Sequence, residues 1–240
     1  TFINEVSEDI ANLRGRVDSL EVRQNNFEAG GFSDTTTLDG KVVFTIGALS
    51  YDGTGADSVS DESTLFQYMW QGNLNTSFSG DDNLYVRLKT GEWDDSFKLK
   101  GSTYHIEAKD NSDQLRVDKM WYTTPIGDNV TLTAGPLIEN YYMLAATPSV
   151  YKPGALKAFK LGGHSSAFGA STSTGVGLKY EADNGFASSV TLNSKGAASA
   201  NGLLTDEDEN KVNAQVAYTS DQYHASLTYS KQGPNWDAWC

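Results

Sequence analysis

The sequence predicts an all-β chain, an antiparallel membrane barrel, preceded by an N-terminal α-helical coiled coil. Three observations predict it. From Lys41 onward, apolar residues recur at every second position, as in strands with one apolar and one polar face. The connections between these runs alternate between short and long, as in barrels of the bacterial outer membrane, with short periplasmic turns and long outer loops. Finally, Phe78, Tyr180, Phe186, Tyr218 and Tyr223 sit on the apolar faces of their runs, close to the short turns. An aromatic belt at the lipid headgroups requires such a distribution.

The helix comes first. Ile3, Val6, Ile10, Leu13, Val17 and Leu20 are spaced alternately by three and four residues, the a/d period of a coiled coil. In a parallel arrangement Asp9 meets Arg14 of a neighbour and Arg16 meets Glu21, so the flanking charges favour self-association. One amphipathic helix lying on its own domain would add apolar residues at e or g, and this stripe does not. β-branched residues at a with Leu at d lean towards a dimer. The glycine-rich stretch after Phe27 ends the helix and makes a linker. The predicted organisation is a coiled-coil helix over 1–28, a linker over 29–40 and a partial barrel over 41–240.

The strands follow in order. Val42, Phe44 and Ile46 share a face in the first. In the second, Phe66, Tyr68 and Trp70 oppose Gln67, Met69 and Gln71. Leu84, Val86 and Leu88 alternate with Tyr85, Arg87 and Lys89. Residues 115–124 alternate poorly: if Arg116 and Asp118 point inward, Lys119 faces lipid, which needs either a bulge or a position near the membrane interface. Runs at 130–135, 174–181, 186–192, 212–219 and 223–230 complete the set. Turn chemistry marks the short connections at 79–83, 125–129, 182–185 and 220–222. The long ones are 51–63, 139–172 and 195–210. All short turns fall on the helix side only if residues 97–109, a possible strand, belong to a long outer loop. About nine strands then remain. An odd number cannot close an antiparallel barrel, and the chain opens on Thr1 with neither Met nor signal peptide. A fragment of a longer protein is therefore expected.

Composition narrows the function. The net charge of -13 excludes a nucleic-acid partner, for no basic patch exists to neutralise phosphates. The single cysteine, Cys240, permits neither an internal disulfide nor a cysteine-based metal site. No cofactor or metal site is expected. Gly163-His164-Ser165-Ser166-Ala167 loosely resembles a nucleophile elbow, but it follows no strand and opens no helix. His105, His164 and His224 lie far apart. The acidic run 206–209 lacks the spaced oxygens of a calcium loop and reads as solvated.

What remains is the chemistry of a water-filled channel. The candidate lining residues are Gln67, Gln71, Tyr85, Arg87, Lys89, Lys179, Asn213 and Gln215, all polar members of alternating runs. Arg87 and Lys89 project to one side. Either they form a basic ladder that favours anions, or they pair with acids on a wet face. Loop 139–172 carries its own aromatics and the basic residues Lys152, Lys157 and Lys160. It either folds into the lumen as a constriction or caps the outer mouth.

Several stretches resemble the cyanobacterial outer-membrane porins: Phe27-Glu28-Ala29-Gly30-Gly31-Phe32-Ser33, Thr36-Thr37-Leu38-Asp39-Gly40-Lys41-Val42-Val43-Phe44, Asp118-Lys119-Met120-Trp121-Tyr122-Thr123-Thr124-Pro125 and Thr133-Ala134-Gly135-Pro136-Leu137. Members of that group join an S-layer-homology domain, a coiled coil and a barrel similar to the carbohydrate-selective porins, and some are described as iron-uptake porins. The resemblance implies a homotrimer in the outer membrane, with the helix in the periplasm. It also implies an upstream domain, absent here, that binds a peptidoglycan-linked polymer. The reading is therefore a passive diffusion channel for small hydrophilic solutes and inorganic ions, without catalysis. The rival is an adhesive surface protein with a coiled-coil stalk and a soluble β-sandwich head. The face made by Phe66, Trp70, Val86, Val176, Val216 and Leu227 discriminates: it contacts lipid in a channel and a protein core in a sandwich.

Overall fold

The computed structural model describes residues 6, 10, 12–19, 35–49, 61–93, 109–147, 172–200 and 202–236. Residues 6, 10 and 12–19 are helical. Val6, Ile10, Leu13 and Val17 are all exposed in the single chain, so the stripe has no partner among the described residues. Ile3 and Leu20 lie outside them.

Nine antiparallel strands form one sheet in sequence order. They are β1 (Thr36–Leu49), β2 (Asp61–Thr76), β3 (Asn83–Glu92), β4 (Arg116–Ile126), β5 (Val130–Glu139), β6 (Thr172–Glu181), β7 (Phe186–Ser194), β8 (Asn210–Thr219) and β9 (His224–Gln232). The sheet is open, with β1 and β9 at its edges. β3 pairs directly with β4; of the segment 97–109, residues 97–108 lie outside the described residues. β1 begins earlier than its alternation suggests: Thr36 to Gly40 pair with Gly72 to Thr76, so these linker residues belong to the sheet. The connections at 77–82, 127–129, 182–185 and 220–223 are tight. Gly127 and Gly185 supply the positive φ of 68° and 87° that their turns need.

Successive side chains of a strand point to opposite faces, which here divide by polarity. One face carries Phe44, Phe66, Val176, Leu178, Val190, Val216 and Leu227, all exposed. Phe66 and Leu227 reach 70% and 74% exposure. Trp70 and Val86 on the same face are half-buried. No second sheet covers this face among the described residues. Phe78, Tyr180, Phe186, Tyr218 and Tyr223 stand exposed on it beside the tight turns. Tyr180 meets Phe186 at 6.4 Å and Tyr218 meets Tyr223 at 6.0 Å between ring centroids.

The buried hydrophobic residues lie instead on the polar face. Five of them form two small clusters, Met69 with Trp93, and Trp121 with Ile138 and Met143. Burial is thus inverted relative to a water-soluble sandwich, in which apolar faces meet. Apolar outside and polar inside is the pattern of a sheet solvated by lipid on one side and by water on the other.

Two bulges adjust the polar face. In β4, Arg87 pairs with Lys119 and Leu88 with Val117, which leaves Asp118 as the extra residue. Lys119 is thereby turned away from the apolar face and is 5% exposed, which resolves the poor alternation of 115–124. In β5, Gly135 pairs with Gly175 but Ile138 with Ser173, so an extra residue sits around Pro136. Pro has no N–H to contribute to a ladder and is at home in a bulge. The shift brings Ile138 onto the polar face.

Candidate functional site: the polar face and its strap

The chain leaves β5 through a single 3-10 turn, Asn140–Met143. It then runs back over the polar face of the sheet as a strap, residues 139–147. Three kinds of contact hold it.

At its start, Lys119 gathers both feet of the long loop. Its Nζ lies 2.9 Å from Glu139 Oε1 and also donates to Thr172 Oγ1 at the start of β6. The β4 bulge makes this possible, because without it Lys119 would face the other way.

Next comes an aromatic stack. Tyr85 on β3 lies on Trp121 of β4 with ring centroids 4.2 Å apart. Trp121 meets Tyr142 of the strap at 4.8 Å, and Tyr142 meets Tyr141 at 4.7 Å. Arg87 closes the far end, its guanidinium carbon 5.5 Å from the Tyr85 centroid. It donates to Tyr85 Oη at 2.8 Å and to Tyr142 Oη at 3.5 Å. The inner rings cover one another's faces, so the stack fastens the strap to the wall instead of offering an open aromatic platform. Beside the strap, Met143 lies over β6, where Gly175 and Gly177 leave room. A Cβ on Gly177 would stand 2.8 Å from Met143 Cβ.

The far end is held by hydrogen bonds. Ala145 N–H donates to Ser189 Oγ on β7 at 2.9 Å. Ala146 N–H donates to Gln215 Oε1 on β8 at 2.8 Å, and Gln215 Nε2 donates to Ala146 O at 3.1 Å. A cavity of about 300 Å³ remains beside the strap, lined in part by Asn83, Tyr85, Thr123, Thr131, Tyr142 and Lys179.

The eight lining candidates all share this face. Gln71 Nε2 donates to Asn73 Oδ1 at 3.0 Å, and Tyr85 Oη donates to the same oxygen at 2.8 Å. Gln67, Lys89 and Asn213 are buried there too, and Asn213 Nδ2 donates to Thr191 Oγ1 at 3.4 Å. Gln215 touches the strap. The charges are largely matched with acids. Arg87 Nη1 lies 3.8 Å from Asp118 Oδ2, Lys109 Nζ 3.7 Å from Asp118 Oδ1, and Lys179 Nζ 2.7 Å from Glu181 Oε2. Of the two members of the expected basic ladder, Arg87 is thus paired with an acid, and Lys89 is buried on the same face. Lys152, Lys157 and Lys160 lie outside the described residues, as do His105, His164 and the segment 163–167.

Sequence reasoning missed Lys119, Trp121, Glu139 and Met143. One signal was available: the Gly-x-Gly of β6, since glycine inside a strand often marks a close approach of another segment. The acidic run also needs correction. Asp208 is fully buried. It accepts from Ser194 Oγ at 2.8 Å, Gly196 N–H at 2.9 Å and Leu204 N–H at 2.9 Å, and so organises the β7–β8 loop. Among the described residues no cluster of His, Cys, Asp and Glu could hold a metal.

The profile of the carbohydrate-selective porin, OprB family, matches residues 2–238. The uncharacterised protein sll0772 of Synechocystis is 33% identical over 141 residues, which cover 58% of this chain and 26% of that protein. The uncharacterised protein alr4550 of Nostoc is 31% identical over 173 residues, covering 65% of this chain and 29% of that protein. The chain thus spans little more than a quarter of the length of these relatives. Among solved structures, a triple mutant of Rhodopseudomonas blastica porin is 12% identical with a TM-score of 0.47, covering 84% of this chain and 65% of that one.

Proposed function

The chain belongs to the carbohydrate-selective porin, OprB family, and on that premise we propose that it forms part of an outer-membrane diffusion channel for small hydrophilic solutes and inorganic ions. The observation that carries this reading is the inverted sheet, apolar and exposed on one face, polar and crossed by a strap on the other. A wall of this kind excludes nothing by chemistry alone. Solutes pass by size, through a lumen narrowed where the strap projects from the wall. Matched pairs such as Arg87 with Asp118 set up local fields across the path and give modest charge selectivity. The process needs no bond making, so the chain acts as a channel and not as an enzyme.

In this reading the tight turns and the aromatic belt face the periplasm, with the helix on the same side. The helix self-associates through Ile3, Val6, Ile10, Leu13, Val17 and Leu20 and joins three barrels into a trimer. A domain upstream of the helix ties that trimer to a peptidoglycan-linked polymer. Lys152, Lys157 and Lys160 of the same long connection add positive charge to the constriction.

Planar-bilayer conductance of the whole protein, extracted in detergent, tests the reading. Discrete, ohmic unitary steps are expected. Their absence from a folded preparation overturns it.

A further inference from the structure

The proposed constriction depends on where the far end of the strap comes to rest, and the sequence of that end contributes little to it. Residues 144–146 read Leu-Ala-Ala; the two alanines offer only backbone polar groups to the wall. The groups that meet them belong to the sheet, and the most complete partner is Gln215. Its amide both accepts from Ala146 N–H and donates to Ala146 O, at 2.8 and 3.1 Å. A primary amide can imitate one rung of a β-ladder in this way, and no other uncharged side chain except Asn carries both functions in that geometry. Gln215 Nε2 also donates to Thr228 Oγ1 of β9 at 3.0 Å, which fixes the amide's orientation. The residue is 2% exposed, so water does not compete freely for these bonds. The strap starts at β5 and reaches Gln215 on β8 after crossing β6 and β7. The anchor therefore sits at the far side of the span, where a small displacement changes the open cross-section most.

We propose that Gln215 is the positioning residue of the constriction: by clasping the Ala146 backbone it fixes how far the strap projects and so sets the exclusion limit of the channel. This rests on the channel reading above.

The test uses the whole protein in planar bilayers and in liposomes swollen by neutral polyols and sugars of graded size. Gln215→Leu removes both bonds at similar volume. It is expected to raise unitary conductance and shift the exclusion limit to larger probes. Gln215→Glu supplies a second arm within one preparation. At neutral pH its carboxylate accepts from Ala146 N–H but repels Ala146 O, and it should conduct like Gln215→Leu. The charged groups of this face include Lys211 on β8 itself and Lys179 on β6, and their positive charge favours the ionised carboxylate at neutral pH. Below about pH 4, in the ordinary range of a glutamic acid, the protonated carboxyl regains a donor. Conductance should then fall back towards the wild-type value at the same pH. If Gln215→Leu does not insert, the change of Gln215→Glu with pH decides. Wild-type conductance and exclusion limit in Gln215→Leu, or in Gln215→Glu at both pH values, overturn the proposal while leaving the channel intact. A wild-type protein that forms no channel overturns the underlying reading instead.

Discussion

Lys119 and Glu139 face each other at 2.9 Å across the β4–β5 ladder, and the pair exists because one extra residue in β4 turns Lys119 inward. Both side chains are largely shielded, 6% and 15% exposed. Removing one member of such a pair leaves the other charged and poorly solvated. Lys119→Met is expected to destabilise the folded protein by about 3 kcal/mol, read from urea midpoints in detergent or lipid. Glu139→Gln keeps an acceptor for the ammonium and should cost about 1 kcal/mol. No measurable loss in either variant would mean that the ion pair is not what holds the foot of the loop.

Gly177 gives the second prediction. A methyl group there enters the space that Met143 occupies. Gly177→Ala should cost about 1–3 kcal/mol, the usual penalty of overpacking. Met143→Ala made on that background should recover part of the loss, since it vacates the contested volume. Thermal melting of the four proteins in a double-mutant cycle measures the coupling. Strict additivity would separate the strap from β6.

The strands and their faces were legible because alternation is local. Val176-Gly177-Leu178-Lys179-Tyr180 declares its two faces without reference to any other part of the chain. The sequence of 115–124 left two accounts of Lys119 open, a bulge or a place near the membrane interface, and only the pairing register located a bulge at Asp118. The strap was not legible. Its clasp joins Ala146 to Gln215, 69 residues apart, and neither carries a pattern that names the other. Pro136 hid the second bulge, because proline after glycine reads equally well as the end of a strand. Asp208 was misread for a related reason. Composition places four consecutive acids in water, and burial of one depends on donors from Ser194, Gly196 and Leu204 that only the folded loop assembles.

The polarity of the two faces can be tested by placing charge on each. Val190 is 58% exposed near the middle of β7, on the apolar face. Val190→Arg should destabilise the membrane-inserted form by about 2–4 kcal/mol if that position lies near the bilayer midplane. Ser226 on the polar face of β9 is exposed as well, and Ser226→Lys should insert normally. Folding yields in liposomes, followed by heat-modifiable gel mobility, compare the two. Tolerance of both would mean that the apolar face of β7 does not meet lipid.

The exposed stripe of the helix makes a separate prediction. Ile10 and Leu13 would lie at the centre of a coiled-coil seam, where charge is poorly tolerated. Leu13→Asp should dissociate the assembly, or lower its thermal stability, without altering the unitary conductance of a barrel that still inserts. Light scattering in detergent reads the first effect and bilayer recording the second. An unchanged molar mass and melting temperature would remove the helix from the interface.

Asp82 makes the stability of one turn depend on pH. Its Oδ1 accepts from the backbone of Ser79 at 2.7 Å and of Phe78 at 2.9 Å, and from the hydroxyls of Ser79 and Ser77. Its Oδ2 accepts from Tyr122 Oη at 2.7 Å, which ties the β2–β3 turn to β4. The Ser79 N–H, reinforced by the Tyr122, Ser79 and Ser77 hydroxyls, holds this carboxyl well below the usual carboxylate range, against the opposing effect of its burial. The folded state therefore prefers the ionised form more than the unfolded chain does. The resulting stabilisation is complete above about pH 5, where an unfolded aspartate is itself almost fully ionised, and it declines as the pH falls towards the lowered value. Asp82→Asn keeps one acceptor oxygen but has no proton equilibrium. The difference in melting temperature between wild type and Asp82→Asn should be constant from neutral pH down to that point and should narrow in more acidic buffer. A difference that stays constant through the acidic range would mean that the carboxylate charge contributes nothing to the turn.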